Sequence, residues 1–172
     1  ELEIYPYDMD SHYGEVIVYS GTQERVTGLA KTQTNDLIIF KDSSTHILEV
    51  QSSNGAPRLF TAFYGIGCYN HRSISYNNNF GVFWFDKNGI YNYVSGYGSP
   101  KDISKGRIKN WWSRYLSQYI DTTFAFFNRK VNEYWIYVND GVRYGKMLRY
   151  SPEFDNWNIL ELDFIPVTVA EN

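Results

Sequence analysis

The sequence predicts an all-β, β-propeller-like protein of about three four-stranded antiparallel blades, with one short inserted helix. The main observation is a unit that recurs along the chain: an apolar strand, a polar turn and a second strand rich in aromatic residues. The units begin at Leu37, Val82 and Tyr134, which are 45 residues (37 to 82) and 52 residues (82 to 134) apart. A spacing near the roughly 40–50 residues of a propeller blade favours stacked β-sheets over one closed core.

The amino-acid composition supports the same fold class. Aromatic residues make up 19% of the 172 residues, and aromatic side chains favour strands. The 16 tyrosines combine an apolar ring with a polar tip, which suits broad contacts with proteins or sugars. A net charge of −3 gives no reason to expect nucleic-acid binding, and no apolar run approaches the ~20 residues of a membrane-spanning helix.

Four strands are predicted for each blade, separated by turn-forming residues. The first blade takes residues 26–33, 37–42, 46–51 and 59–65. The second takes residues 72–77, 81–86, 89–94 and 101–103. The third takes residues 122–129, 133–138, 146–151 and 156–163. Consecutive strands joined by tight turns pair in antiparallel fashion, so each set forms one blade.

The second strand of the second blade carries the clearest sign of stacking. Residues 81–85 (GVFWF) are apolar on both faces, which predicts a sheet enclosed between two neighbouring blades. The turns that follow such strands place Asn or Asp beside a glycine that tolerates positive φ, as in Asn88-Gly89 and Asp140-Gly141.

One segment departs from the strand pattern, at about residues 104–119. Ser104 is the predicted N-cap of a helix in this segment. The apolar side chains at helical spacing form one stripe: Ile108, Trp111, Trp112, Tyr115 and Tyr119. We expect the helix to be an insertion that packs on the rim of the second blade.

The predicted blades occupy residues 26–163 and leave two flanking segments. Residues 1–25 are expected to hold the end of a preceding blade and a connection, and residues 164–172 the start of a following blade or a tail. Closed propellers use about four to eight blades. The chain is therefore expected to be part of a larger propeller, or to rely on other copies or partners that cover its ends.

Several motifs occur in an order that resembles the β-propeller of bacteriophage tail proteins. The motifs are Gly67-Cys68, His71-Arg72-Ser73-Ile74, the strand at residues 81–85, the turn at residues 86–91 and a closing segment at residues 150–157. The resemblance is to the tail tubular protein B or nozzle type and to related phage stabilisation proteins. It covers residues 26–162, and the sequence departs from the pattern by having Lys87-Asn88 inside the turn.

The resemblance implies a structural component of the virion tail or neck, made in the host cytoplasm. Such a protein would form a homo-oligomeric ring, contact neighbouring tail or neck proteins and allow the transient passage of DNA. The resemblance carries no catalytic residue over to this chain, and it implies neither a cofactor nor a membrane span.

The residues give no independent sign of an enzyme or a metal site. Asp42, Asp86, Asp140 and Asp155 follow strands, where aspartate favours turns, and no carboxylate pair at the ~5–10 Å of a glycosidase is evident. The histidines lie far apart in the sequence, and Cys68 is the single cysteine. That cysteine forms no internal disulfide and is expected to be a small buried residue.

A cationic cluster accompanies the predicted helix: Lys105, Arg107, Lys109 and Arg114. Basic groups beside Trp111 and Trp112 match a surface that binds a nucleic-acid backbone. The charges flank the apolar stripe, however, and so also match a solvated flank with both tryptophans packed on the sheet. The same four residues are the candidate contact with a neighbouring subunit or partner.

The alternative function is a carbohydrate-binding propeller used in host adhesion. Tyr and Trp rings stack on sugar faces, and the chain has 16 Tyr and 5 Trp. Burial of Trp84, Trp135 and Trp157 between blades would remove the leading candidates for stacking. A glycan hydrolase comes third, because it would need a convergent pair of carboxylates.

Overall fold

The computed structural model describes residues 24–49, 58–96, 98–139 and 145–163. These residues form three four-stranded antiparallel sheets and one α-helix, which confirms the all-β, blade-like architecture predicted from the sequence. The predicted flanking segments at residues 1–25 and 164–172 lie outside the described residues, apart from Glu24 and Arg25.

The first sheet, blade 1, has the strand order β1-β2-β3-β4. Its strands are β1 (Val26–Lys31), β2 (Leu37–Lys41), β3 (Ser44–Glu49) and β4 (Arg58–Tyr64). Strand β1 ends two residues earlier than predicted, because Thr32 and Asp36 close a turn. The Thr32 N–H donates to the Asp36 carbonyl at 2.8 Å, and the Asp36 N–H donates to the Thr32 hydroxyl at 3.0 Å.

The second sheet, blade 2, has the order β5-β6-β7-β8. Its strands are β5 (Ser75–Asn77), β6 (Gly81–Asp86), β7 (Gly89–Tyr93) and β8 (Lys101–Asp102). Strand β5 begins at Ser75 rather than at residue 72, because a 3₁₀ helix occupies His71–Ser73. The Asn70 carbonyl accepts the N–H of Ser73 at 3.2 Å and its hydroxyl at 2.8 Å.

The third sheet, blade 3, has the order β12-β11-β10-β9. Its strands are β9 (Phe124–Asn128), β10 (Glu133–Val138), β11 (Gly145–Ser151) and β12 (Asn156–Leu162). The first strands of the three blades are neighbours, with β5 in contact with both β1 and β9. Blade 2 therefore lies between the other two blades.

Strand β6 shows how the blades stack. Because successive side chains of a strand point to opposite faces, Val82 and Trp84 pack towards blade 1 while Phe83 and Phe85 pack towards blade 3. All four are 0% exposed. The predicted enclosure of this strand between two blades is confirmed. Cys68 is also fully buried, in the cluster between blades 1 and 2, and burial raises the pKa of its thiol to about 11.

The helix α1 (Lys109–Tyr119) is shorter than the predicted segment, and Ser104 is not its N-cap. The carboxylate of Asp102 accepts the N–H and the hydroxyl of Ser104, and this bonding holds a turn ahead of the helix. Ile108 occupies the N-cap position and makes no side-chain capping bond. The expected packing against the blades is found: Trp112 is 0% exposed, and its indole N–H donates to the Asp86 carbonyl at 3.1 Å.

Candidate functional site

The cationic cluster predicted as a partner contact lies on the turn before α1 and on α1 itself. Lys105, Arg107, Lys109 and Arg114 are all exposed. Two of them are held by carboxylates of this chain. The Lys109 ammonium lies 3.0 Å from Asp102 Oδ2, and the Arg107 guanidinium donates to the Asp155 carbonyl and lies 3.7 Å from its Oδ2.

The other two cations of the cluster are the ones available to a partner. The side chains of Lys105 and Arg114 make no hydrogen bond or ion pair with the residues that the structure describes. Trp112 is buried, as the solvated-flank interpretation expects, and Trp111 is half-buried. The role of the four residues as a subunit or partner contact stays a prediction.

Asp155 joins the turn before α1 to blade 3. Its Oδ1 accepts the Tyr150 hydroxyl at 2.7 Å and the Lys101 ammonium at 3.0 Å. The Tyr150 hydrogen bond, followed by that of Lys101, lowers the pKa of Asp155. The carboxylate is therefore stabilised as an anion by neighbours from two blades.

We expect Asp155→Asn to lower the free energy of unfolding by about 0.5 kcal/mol, because its ion pairs are half exposed and screened. Since the folded pKa is depressed, the contribution of Asp155 is present above the unfolded pKa of about 3.9 and is lost as the pH falls below it. Urea unfolding at pH 7 and pH 3 checks this. Asp163→Asn, at an exposed position, is the matched control, and an equal pH dependence in both variants would contradict the assignment.

The tryptophans expected to stack on sugars are used within the protein. Trp84 is fully buried between blades 1 and 2 and is excluded as a sugar platform. Trp157 is half-buried, and its indole N–H donates to the Ile103 carbonyl at 2.8 Å. Trp135 is also half-buried, with the Arg149 guanidinium 5.0 Å from its ring centroid. Sugar binding by stacking on these rings is therefore disfavoured.

A charged cavity of about 710 Å³ lies at one end of the blades, beside the β2–β3 and β6–β7 turns and the β4–β5 connection. Its ionised lining residues balance in charge: Arg25, Arg72, Lys87, Asp42, Asp86 and Asp121. The Tyr69 hydroxyl donates to Asp121 Oδ1 at 2.7 Å, and the Lys87 ammonium lies 5.1 Å from the Tyr69 ring centroid. These contacts join the β4–β5 connection to the β6–β7 turn and to the segment that precedes blade 3.

Strand register relates one position in all three blades: a residue ahead of the first strand lies opposite a residue at or just after the end of the second strand. In blades 1 and 2 these residues line the cavity. In blade 1 the pairing of Val26 with Lys41 places Arg25 opposite Asp42, and Arg25 Nη2 lies 3.4 Å from Asp42 Oδ1. In blade 3 the equivalent residues are also bonded, since the Thr122 hydroxyl donates to the Asn139 carbonyl at 3.1 Å.

The same position in blade 2 is arranged differently. Arg72 lies three residues before Ser75, and Asp86 lies three residues after its strand partner Phe83. Asp86 is only 5% exposed, and its carboxylate accepts the Gly67 N–H at 3.4 Å and the Lys87 N–H. Arg72 makes no hydrogen bond or ion pair with the described residues.

The pKa values of Asp86 and Asp42, two carboxylates of the cavity, are shifted in opposite directions. Burial raises the pKa of Asp86. Burial alone would also raise the pKa of Asp42, but the N–H and guanidinium of Arg25 and the charge of Lys87 lower it. Opposite shifts of this kind occur in acid–base catalysts. Here each carboxylate also has a structural role, because Asp42 pairs with Arg25 and Asp86 binds backbone N–H groups at the β6–β7 turn.

The cavity was not predicted from the sequence, although one signal for it was present. The sequence predicts turn roles for Asp42 and Asp86, and that role fits Asp86, which accepts the N–H of the following residue. The missed signal was the recurrence of arginine ahead of the first strand and of aspartate at or just after the end of the second, as in Arg25 with Asp42 and Arg72 with Asp86. A pattern of this kind indicates a face at which the same end of successive blades meets.

No protein-family model matches the chain, and no curated protein matches it. The resemblance to phage tail proteins therefore stays a prediction. Within the ranges that the structure describes, no helix is long and apolar enough to cross a membrane. In the same ranges, no group of three or more His, Cys, Asp or Glu side chains is arranged to hold a metal ion.

Proposed function

We propose that this chain is a structural, non-catalytic component of a phage tail or neck, which assembles as a ring in the virion through which DNA passes. The observation that supports the proposal most is the stacking of its blades. Phe83, for example, lies 5.4 Å from Phe127 and 5.1 Å from Tyr134 between ring centroids, both across the interface between blades 2 and 3. The largest buried side chains thus join one blade to the next.

The face of blade 3 turned away from blade 2 supports packing of a further blade. The side chains of strand β9 alternate between the two faces of the sheet. Ala125 and Phe127 are buried towards blade 2, and Phe124 and Phe126 lie on the opposite face. Both of these phenylalanines, and Trp135 on β10, are only half-buried. We propose that a blade from a second copy of the chain covers this face, in the way that blade 2 is covered on both sides.

The charge of the chain is compatible with a channel for DNA. A surface that neutralises many phosphates binds the DNA backbone tightly and would slow its passage. The net charge of −3 and the pairing of Arg107 and Lys109 with aspartates weaken such binding. A weakly interacting wall suits transient passage.

The proposal is tested by measuring the mass of the chain in solution by light scattering over a wide range of concentrations. A discrete oligomer whose mass does not change with concentration, seen as rings by electron microscopy, would support it. A folded monomer at every concentration would contradict self-assembly by this chain.

We expect Phe126→Lys to shift the oligomer towards the monomer, because assembly would then bury an unpaired charge on the outer face of blade 3. Phe126 is half-buried, so the fold of the monomer should persist and can be checked by circular dichroism. Val131→Lys, in the exposed β9–β10 turn, is the matched control and should leave the mass unchanged. Equal masses for the two variants would show that this face does not take part in the interface.

A further inference from the structure

The outermost strand of blade 3 has one edge that the described residues leave unpaired, and we infer that it pairs with the same edge of a second copy of the chain. Strand β12 is hydrogen-bonded to β11 on one side, and no described strand lies on its other side. The two copies of β12 would run antiparallel about a two-fold axis and join two four-stranded blades into one continuous sheet. This inference goes beyond the proposed ring, because it uses the edge of blade 3 rather than its outer face.

Strand β12 has none of the features by which proteins usually protect an exposed edge. Protected edge strands are short, contain a bulge, or carry proline or lysine. Strand β12 is seven residues long, contains no proline and no cation, and pairs with β11 without a shift of register. The outermost strand of blade 2 shows the contrast, because β8 has only two residues and one of them is Lys101. An unprotected edge of the length of β12 is a template for another strand.

Two apolar side chains lie near the centre of this edge strand. Ile159 is 45% exposed and Leu160 is 39% exposed. As consecutive residues of a strand, they point to opposite faces of the sheet. Side chains that lie opposite each other in a strand pair pack together. Pairing at this edge would therefore cover apolar surface on both faces and would also satisfy the backbone groups of the edge.

The residues of β12 are complementary to those of a second β12. All seven residues pair when Ile159 lies opposite Ile159 of the second copy, because residue 159 is the midpoint of the strand. In this register Leu160 lies opposite Asn158, and Glu161, the only charged residue of the strand, lies opposite Trp157. No carboxylate of the strand faces another, so the repulsion that destabilises like-charged cross-strand pairs is avoided. A two-fold interface repeats each of these contacts, which favours a second copy as the partner.

The residues at the two ends of β12 also allow the copies to approach. The same register places Asp163 of one copy opposite Asp155 of the other. The charge of Asp155 is compensated within its own copy, because the Lys101 ammonium lies 3.0 Å from its Oδ1 and the Arg107 guanidinium lies 3.7 Å from its Oδ2. Asp163 would therefore meet an aspartate that is already paired with two cations.

The test is disulfide cross-linking of the intact chain through a cysteine placed at the centre of β12. In the inferred pair, Ile159→Cys puts the two new thiols on directly opposite residues, whose Cα atoms lie ~4.5–5.5 Å apart, within the range of a disulfide. With oxidised glutathione as the oxidant, we expect linked dimers to form at least about tenfold faster than in the control variant. Non-reducing electrophoresis measures both rates.

Asn158→Cys is the matched control, one residue earlier on the same strand and also exposed. In the inferred register Asn158 lies opposite Leu160, so two cysteines at position 158 would be more than ~7 Å apart, too far for a disulfide. The buried Cys68 is present in both variants and contributes equally. Equal cross-linking rates for the two variants would overturn the inference.

A second variant tests whether the strand edge itself holds the pair. Leu160→Lys places a cation on the edge, as natural edge strands do to avoid pairing, and should raise the dissociation constant of the pair at least about tenfold. Leu160 is exposed, so the monomer should fold, which circular dichroism checks. Val131→Lys, in the exposed β9–β10 turn, is the control and should leave the dissociation constant unchanged. An equal effect of the two lysines would contradict the inference.

Phe126→Lys separates this contact from the proposed ring. Because that variant should not form the ring, its mass should rise with concentration to that of a dimer and stop, since a two-fold interface closes on itself. A monomer at about 1 mM, or growth beyond a dimer, would overturn the inference. Loss of the ring would leave the cross-link at residue 159 intact, so either proposal can fail alone.

Discussion

Replacing Trp84 with alanine should lower the free energy of unfolding by about 3–5 kcal/mol. The Trp84 ring is 0% exposed between blades 1 and 2, with centroids 5.0 Å from Phe40 and 5.8 Å from Tyr91. Its indole N–H also donates to the Gly67 carbonyl at 3.0 Å. The substitution would leave a cavity at the blade interface and a buried carbonyl without its donor. Equilibrium urea unfolding, followed by circular dichroism, measures the change.

The control for Trp84→Ala is Phe154→Ala, which truncates an aromatic ring that is 72% exposed. It should change the stability by less than about 0.5 kcal/mol. A loss below about 1 kcal/mol for Trp84→Ala would show that blades 1 and 2 do not depend on this contact. Because a domain of this size is stable by only about 5–15 kcal/mol, the expected loss is a large part of the total.

Gly67→Ala should destabilise the protein by about 3 kcal/mol, because the connection between blades 1 and 2 passes too close to strand β2 for a side chain. A Cβ at this position would overlap the backbone carbonyls of Lys41 and Asp42. The backbone of Gly67 is also bonded on both sides, since its N–H donates to Asp86 and its carbonyl accepts the Trp84 indole. Neither neighbour can move without disturbing a blade. Urea unfolding measures the loss.

Gly65→Ala is the matched control, two residues earlier on the same connection. A Cβ at Gly65 would meet nothing within 4 Å, and its φ of +76° carries only the cost of a left-handed backbone, roughly 1 kcal/mol. If Gly67→Ala costs no more than Gly65→Ala, the close approach to β2 does not constrain the fold.

The strands were predictable because their signals are local. Alternation of apolar and polar side chains and the turn-forming residues between strands placed all three blades, and β6 and β10 have the bounds that the sequence predicts. The double-sided burial of β6 was also predictable, since a strand that is apolar on both faces has to be covered on both.

The predicted first residues of α1 and β5 are wrong, because side-chain hydrogen bonds there hold the backbone in local turns. Helix α1 begins at Lys109 instead of at Ser104, because the Asp102 carboxylate binds the N–H and hydroxyl of Ser104 and so holds a separate turn. Strand β5 starts late for a similar reason, since the Ser73 hydroxyl donates to the Asn70 carbonyl beside the Ser73 N–H and holds a 3₁₀ helix at His71–Ser73. Bonds of this type depend on side-chain orientation, which the periodicity of the sequence does not encode.

The three four-stranded blades follow from local sequence, because strand pairing and turns depend on neighbouring residues. Which residues share the charged cavity, in contrast, depends on how the blades pack. Arg25, Asp42, Arg72, Asp86 and Asp121 come from segments up to 96 residues apart (25 to 121), and the stacking of the blades brings them together. Whether a charge is paired, as in Arg25, or unpaired among the described residues, as in Arg72, depends on distances set by that stacking.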